Sequence, residues 1–259
     1  VENNGSSTSY KELIASSPAR PDWFCSHWWG EPINDFVACC REHSKKRKKD
    51  KYWVCAYANR QHELGSDISM DPEETSFRKA MKLAEGVLLV LDTDAIPFRR
   101  IWCDYEIFKT VSEQKKLDIV TFTDTPHLLT EKPLPHESTF DKTRRERQFP
   151  LEVLQKGLRV ELENGSATME QDKTNILNCM GKAVNEDLYK KNVDYANRSL
   201  RGYFAMAAWP QAIKRNLVRQ FPFFGGAPLD LSQILHEDEG RKFLQFTLSG
   251  FKEMNDTEM

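Results

Sequence analysis

The sequence Gly-Val-Leu-Leu-Val-Leu occupies residues 86–91 and decides the fold class. It is a continuous apolar run that is too short for a helix, and such runs are typical of strands that are covered on both faces. We therefore expect it to be the central strand of a sheet with helices on both sides. A helix before it is indicated by Asp71, Pro72 and Glu74, which supply an N-cap, a first-turn proline and a capping-box glutamate.

Apolar runs and amphipathic segments alternate on both sides of this strand. On the N-terminal side, residues 22–27 and 52–57 have the pattern of buried strands, with a helix from about Ile33 between them. On the C-terminal side, a helix is expected from Ile101 and a fourth strand at residues 118–122. The order β-α-β-α-β-α-β predicts a parallel α/β sheet, in which ligands bind beyond the carboxyl ends of the strands.

The chain divides into four predicted parts. Residues 1–19 are expected to be an N-terminal tail and residues 20–125 an α/β domain. Residues 126–148 are rich in proline and charge, which is typical of a linker or excursion. Residues 149–259 have mostly helical spacing and are interpreted as a mainly α-helical extension.

Three shorter features add detail to this division. The polar residues 59–70 are interpreted as a long loop, and the lysine-rich residues 45–51 as either a solvated turn or a phosphate-binding or nuclear-import patch. Residues 229–231 and 243–248 have leucine spacing that resembles the start of a leucine-rich array. Two imperfect units are too few to predict a repeat.

Composition narrows the classes of partner and compartment. The chain has 259 residues with 37 basic and 39 acidic side chains, a formal net charge of -2, so no overall field attracts nucleic acid or an anionic membrane. No stretch reaches the roughly 20 apolar residues of a membrane span, and the first residues lack the apolar core of a signal peptide. The six cysteines lie mostly in apolar runs, which favours buried thiols in a reducing compartment. We therefore expect a cytoplasmic protein with neither membrane nor nucleic-acid partners.

Trp102 and Glu106 stand four residues apart in the helix predicted from Ile101. On a helix they share one face, which begins just past the carboxyl end of the central strand. Such a pair can stack a flat ligand and place a negative charge beside a developing cation. The same spacing also fits a half-buried tryptophan that packs the helix start and a solvated glutamate one turn on, so the spacing alone leaves both interpretations open.

Two other chemistries have partial support in the sequence. Cys39 and His43 stand at i and i+4 on the first helix, as two zinc ligands can, but no CxxC or HExxH spacing accompanies them, and no metal site is predicted. Cys103 as a nucleophile with His27 as its base fits two adjacent strand ends. A third group that would orient the base is not evident.

Three elements together resemble the Toll/interleukin-1 receptor (TIR) domain. They are WFCSHWWGE at residues 23–31, GVLLVLD at residues 86–92 and IWCDYEI at residues 101–107. In that family the first strand, the strand before the third helix and a tryptophan-cysteine-x-x-glutamate element recur in this order. The resemblance covers residues from about 20 to 125, looks closest to divergent protist members and implies a parallel, flavodoxin-like sheet.

The resemblance also implies an activity and a set of site residues. Members of the family with enzyme activity cleave the nicotinamide-ribose bond of NAD, using a glutamate at the position of Glu106. By this resemblance the chain is a TIR-like NAD-cleaving hydrolase with Glu106 as its catalytic carboxylate, and NAD is the substrate rather than a cofactor. The expected substrate-binding residues are Ser26, His27, Trp28, Arg60 and Trp102.

One departure from the family keeps a second function open. Catalytic members often have a basic residue shortly after the first strand, where this chain has His27-Trp28-Trp29. Arg60, or the pair Arg99 and Arg100, is a candidate for phosphate contacts instead. The alternative is a non-catalytic TIR-like signalling module that assembles with itself or with protein partners.

Overall fold

The computed structural model describes residues 2–3, 6–61 and 71–220 of the chain. Two short strands, Glu2–Asn3 and Ser6–Ser7, pair antiparallel ahead of the main sheet. Over these described ranges, no helix is long and apolar enough to cross a membrane. The leucine-spaced residues 229–231 and 243–248, and residues 62–70 of the predicted loop, lie outside them.

Five strands form the main sheet in the described part of the chain. They are β1 (Trp23–Ser26), β2 (Tyr52–Trp53), β3 (Gly86–Leu91), β4 (Lys116–Phe122) and β5 (Pro126–Leu129). Their order across the sheet is β2-β1-β3-β4-β5; the first four are parallel, and β5 runs antiparallel to β4. The chain runs from β1 out to β2 and then back past β1 to β3, so the carboxyl ends of β1 and β3 flank a topological switch point. The predicted α/β class is confirmed, with a mostly parallel sheet.

Helices flank the sheet and continue after it. They are α1 (Tyr10–Ile14), α2 (Ile33–Ser44), α3 (Cys55–Ala58), α4 (Ser76–Leu83), α5 (Ile101–Ser112), α6 (Thr139–Glu146), α7 (Leu151–Gly157), α8 (Glu170–Cys179) and α9 (Glu186–Gln220). Short 3-10 turns lie at Pro72–Glu74, Ile96–Arg99 and Leu162–Asn164.

β3 is the middle strand of the sheet, and all six of its residues are buried. Leu88 and Val90 belong to the apolar cluster that includes Phe36 of α2, whereas Val87 and Leu89 belong to the cluster shared with α4 and α5. Successive side chains of a strand point to opposite faces, so one apolar run is covered by helices on both sides.

Two predicted elements differ in their bounds. The second strand ends at Trp53, and the chain turns into α3 at Cys55, where the amide of Ala58 donates to the carbonyl of Val54 over 2.9 Å. A short apolar run does not distinguish a strand from a buried helical turn, which is why residues 52–57 were predicted as one strand. The predicted helix after Asp71 is split, since Asp71 caps the turn at Pro72–Glu74 and Thr75 caps α4.

The segment predicted as a linker or excursion, residues 126–148, holds β5 and α6. Pro126 begins β5, a position at the sheet edge where the missing amide proton of proline costs little. The charged side chains pair locally: Arg145 binds Glu137 over 2.9 Å, and Glu146 accepts from the amide of Thr130 over 2.8 Å. Because these charges satisfy each other and the strand end, the charge-rich sequence is compatible with regular structure.

The helices after residue 148 share the core of the α/β part. Phe204 of α9 packs over Gly157 of α7 and lies edge-on to Phe98, with ring centroids 5.8 Å apart. The Tyr203 hydroxyl donates to the carbonyl of Leu117 in β4 over 2.8 Å. One apolar cluster therefore runs from the sheet through α5 into α7 and α9.

A candidate active-site cavity at the carboxyl edge of the sheet

A cavity of about 770 Å³, including the space at its open mouth, lies beside the first turns of α5. The residues that line it come from the end of β1, from α3 to α5 and from α8. They are Phe24, Cys25, His27, Trp29, Cys55, Phe77, Arg100, Trp102, Cys103, Glu106 and Asp172. The cavity opens beyond the carboxyl end of β1, at the switch point where ligands bind in sheets of this kind.

Glu106 is the buried carboxyl group of this cavity. Its side chain lies one helical turn from Trp102 on the same wall, and the residue is 6% exposed. Burial raises the pKa of Glu106 to about 8, and the nearby Ser26 hydroxyl and Arg100 guanidinium limit the rise. Burial therefore favours the protonated carboxyl group at neutral pH, and a cation placed beside it favours ionisation.

Ser26 lies at the end of β1 beside Glu106. It is 1% exposed, and its hydroxyl oxygen makes no hydrogen bond of ordinary geometry to any described residue. The hydroxyl can therefore donate its proton to the Glu106 carboxylate. Because such a bond stabilises the ionised form, Ser26 lowers the pKa of Glu106.

The indole of Trp102 is held in a fixed plane. Its nitrogen donates to Oδ2 of Asp172 over 3.4 Å, and its ring stacks on Phe77 with centroids 6.1 Å apart and planes inclined by 28°. Tyr105 meets the ring edge-on at 6.4 Å. Contacts on three sides leave the indole little freedom, so it can present a fixed surface to a flat ligand.

Trp29 forms a second aromatic side of the cavity and is 53% exposed. Its indole nitrogen donates to Sγ of Cys55 over 2.8 Å. Trp28, the neighbouring residue predicted for this site, lines a separate cavity of about 680 Å³ with Glu31 and Asp92. The ring of Trp28 folds back over Gly30, where a Cβ atom would lie 2.2 Å from it, and this turn separates the two tryptophans.

His27 lines the cavity as a neutral ring. Burial lowers its pKa to about 4, and the ring packs against Phe36 with centroids 4.4 Å apart. The sequence interpretation with Cys103 as nucleophile and His27 as base is not supported, because the Cys103 thiol donates to the backbone carbonyl of His27 over 3.7 Å. Burial also raises the pKa of the Cys103 thiol well above its usual range, which disfavours the thiolate.

The residues considered for zinc have other partners. His43 bonds through its ring nitrogens to the Tyr52 hydroxyl at 2.6 Å and to Asp118 at 2.9 Å, away from the cavity. In residues 6–61 and 71–220, no three His, Cys, Asp or Glu side chains are grouped so as to hold a metal ion. Cys39 packs in the apolar cluster under α2.

The segment before α8 closes the cavity side of α5. Ser166 accepts from the amide of Ile101 over 2.9 Å, and its own amide donates to the carbonyl of Arg99 over 2.8 Å. Gly165 fits closely beneath, since a Cβ atom there would lie 2.0 Å from Oδ2 of Asp104. This strap, residues 165–166, leads into α8 and brings Asp172 to the cavity.

The three arginines considered for phosphate contacts have different positions. Arg60 is exposed and binds Glu12 through two nitrogens at 2.7 and 3.2 Å, outside the lining of the cavity. Arg99 is exposed as well, whereas Arg100 is half-buried and lines the cavity.

The structure thus brings Glu106, Trp102 and His27 together, with Ser26 beside Glu106 and with Trp28 and Arg60 elsewhere. Trp29, Phe77 and Asp172 were not among the predicted site residues, whereas Arg100 was a candidate for phosphate contacts. Asp172 comes from a segment 70 positions after Trp102 in the sequence, where no local motif marks it.

Comparison with protein-family models finds no match to the chain. Comparison with curated proteins likewise finds no significant relative.

Proposed function

We propose that the chain is a TIR-like hydrolase that cleaves the nicotinamide-ribose bond of NAD, with Glu106 as the key carboxylate. The observation that carries the proposal is the cavity in which buried Glu106 and the fixed indole of Trp102 face one space at the switch point of the sheet. The strand order β2-β1-β3-β4, which is that of flavodoxin-like sheets, agrees with the sequence resemblance to the TIR family.

The reaction suits a site with one buried carboxyl group. The nicotinamide ring of NAD is cationic, so when the bond from its nitrogen to C1′ of ribose breaks, the electron pair stays on nitrogen and the ring leaves neutral. No acid is needed for the leaving group. Water then adds to the ribosyl centre and loses a proton, while a carboxylate stabilises the positive charge that develops on the sugar.

Burial of Glu106 makes its charge dependent on the ligand. Burial raises the pKa of Glu106 to about 8, so the protonated form is favoured at neutral pH. The pyridinium ring of NAD, and the ribosyl cation that forms when it leaves, both favour the ionised form of Glu106. The glutamate is therefore negatively charged while the substrate carries a positive charge. Trp102 or Trp29 would stack the nicotinamide ring beside it.

The alternative function, a non-catalytic assembly module, makes a different demand on this site. It needs no ligand in the cavity and tolerates loss of Glu106 without loss of function. The opening of the cavity favours the enzyme, as does the Ser26 hydroxyl, which has no hydrogen-bond partner among the described residues.

The test is the release of nicotinamide from NAD by the purified chain, at protein concentrations that allow self-association. Release that is lost in Glu106→Ala is the expected result. Release by neither protein would reject the hydrolase and leave the assembly module.

A further inference from the structure

Arg100 has a fixed backbone position at the wall of the cavity. It is the residue just before α5, and its amide donates to the carbonyl of Pro97 over 3.2 Å. The strap at Ser166 pairs with the residues on either side of it, Arg99 and Ile101. The base of the Arg100 side chain is therefore held against the cavity by backbone hydrogen bonds.

The charge of Arg100 has no counterpart at contact distance within the described ranges of the chain. Among the described residues, none forms an ion pair with its guanidinium, although Glu106 and Asp172 line the same cavity. It is also the only described lining residue with a permanent positive charge, since burial keeps His27 neutral. A half-buried guanidinium left unpaired in a cavity is suited to an anionic group of a ligand.

Arg99 shows that this arrangement is particular to Arg100. The two residues are adjacent in sequence and identical in chemistry, but Arg99 is exposed and is absent from the cavity lining. Of these two arginines, Arg100 is the one placed to contact a molecule that also touches Glu106 and Trp102.

We infer that Arg100 binds the 5′-phosphate of the substrate and makes the site selective for nucleotides over nucleosides. The inference rests on the proposed function, because the phosphate is the one carried by a ribose whose C1′ lies at Glu106. Arg100 is a specificity residue here, since its planar guanidinium can bind two phosphate oxygens through paired N–H donors and does not contact the bond that breaks.

The test compares nicotinamide mononucleotide with nicotinamide riboside, which share the scissile bond and differ by the phosphate. For the wild-type chain we expect kcat/KM to be higher for the mononucleotide by about tenfold or more, the size expected for one charge-assisted contact. Arg100→Gln should remove this preference by lowering kcat/KM more for the mononucleotide than for the riboside, since the effect of Arg100 on the pKa of Glu106 is common to both substrates. Arg100→Lys should restore part of the preference. Arg99→Gln is the matched control and should behave as the wild type.

Equal losses for both substrates in Arg100→Gln, or the same loss in Arg99→Gln, would overturn the inference while leaving the hydrolase intact.

A binding measurement keeps the inference separate from catalysis. Binding of AMP and of adenosine is followed by the fluorescence of the tryptophans, of which Trp29 and Trp102 line the cavity. We expect AMP to bind more tightly to the wild type and the two to bind alike to Arg100→Gln, whether or not NAD is cleaved; equal binding to the wild type would contradict the role of Arg100.

Discussion

The indole nitrogen of Trp102 donates a hydrogen bond to Oδ2 of Asp172 over 3.4 Å. The first residue belongs to α5 and the second to α8, so the bond joins the α/β part of the chain to the helices that follow it. The cavity is consequently composite, and the segment after residue 148 supplies one of its walls.

Loss of the Asp172 carboxylate should loosen the Trp102 platform. In Asp172→Ala we expect KM for NAD to rise several-fold with little change in kcat, because the indole loses its acceptor and a ligand must order it on binding. Asp172→Asn keeps an acceptor oxygen and should lie close to the wild type. Glu170→Ala, on the exposed side of the same helix, is the control. A similar rise in KM in this variant would show that the effect comes from losing any negative charge on α8 and not from losing the bond to Trp102.

Gly165→Ala should weaken the strap. The added Cβ would lie 2.0 Å from Oδ2 of Asp104 and 2.8 Å from the backbone of Ile101, and backbone cannot move aside as a flexible side chain can. We expect a loss of about 1–3 kcal/mol in the free energy of unfolding, measured by urea denaturation. Wild-type stability in this variant would show that residues 165–166 are not packed against α5 as described.

Asp104 should make stability depend on pH. The residue is 0% exposed, neither carboxyl oxygen has a hydrogen-bond partner in the described chain, and burial raises its pKa well above the usual range. The native state therefore holds a proton that the unfolded chain releases above about pH 4, so the group lowers the free energy of unfolding increasingly as pH rises from there.

Asp104→Asn removes this effect and keeps the shape. Thermal unfolding should give a higher Tm than the wild type at pH 7.5 and nearly the same Tm near pH 4. A difference that is constant across this range would mean that Asp104 does not titrate abnormally.

Glu106 should set the pH dependence of turnover. Its raised pKa of about 8 belongs to the free protein, so kcat/KM for NAD should fall as pH decreases below 8, by about tenfold per unit. The fall should be absent from any residual activity of Glu106→Gln, which cannot ionise. A profile that stays flat from pH 6 to pH 9 would exclude Glu106 as the group whose ionisation limits the reaction.

The fold class could be predicted because periodicity is a local property of the sequence. The fully apolar run at residues 86–91 and the cap at Asp71 act over a few residues. The strand predicted from the run is present, and the helix predicted after Asp71 is present in two parts, the turn at Pro72–Glu74 and α4. The antiparallel edge strand β5 was not predicted, because Pro126 and the charges around it resemble a loop until their partners in the folded chain are known.

The sequence predicts the part of the site whose residues lie close together along the chain. Trp102 and Glu106 share a helix, and their common face follows from a spacing of four. Which of the adjacent tryptophans faces Glu106 depends on the turn at Gly30, and Asp172 reaches the cavity through the strap at residues 165–166. Both depend on tertiary packing, which periodicity does not encode.

The role of Glu106 as the carboxylate that cleaves NAD is tested by the rate of nicotinamide release by the wild type, by Glu106→Gln and by Glu152→Gln, measured at pH 8.5. Glu106→Gln keeps the shape of the side chain and removes its charge, and Glu152 is an exposed glutamate on α7 that serves as the control. We expect release by the wild type and by Glu152→Gln, and a loss of about 100-fold or more in Glu106→Gln. Equal rates in all three proteins would contradict this role.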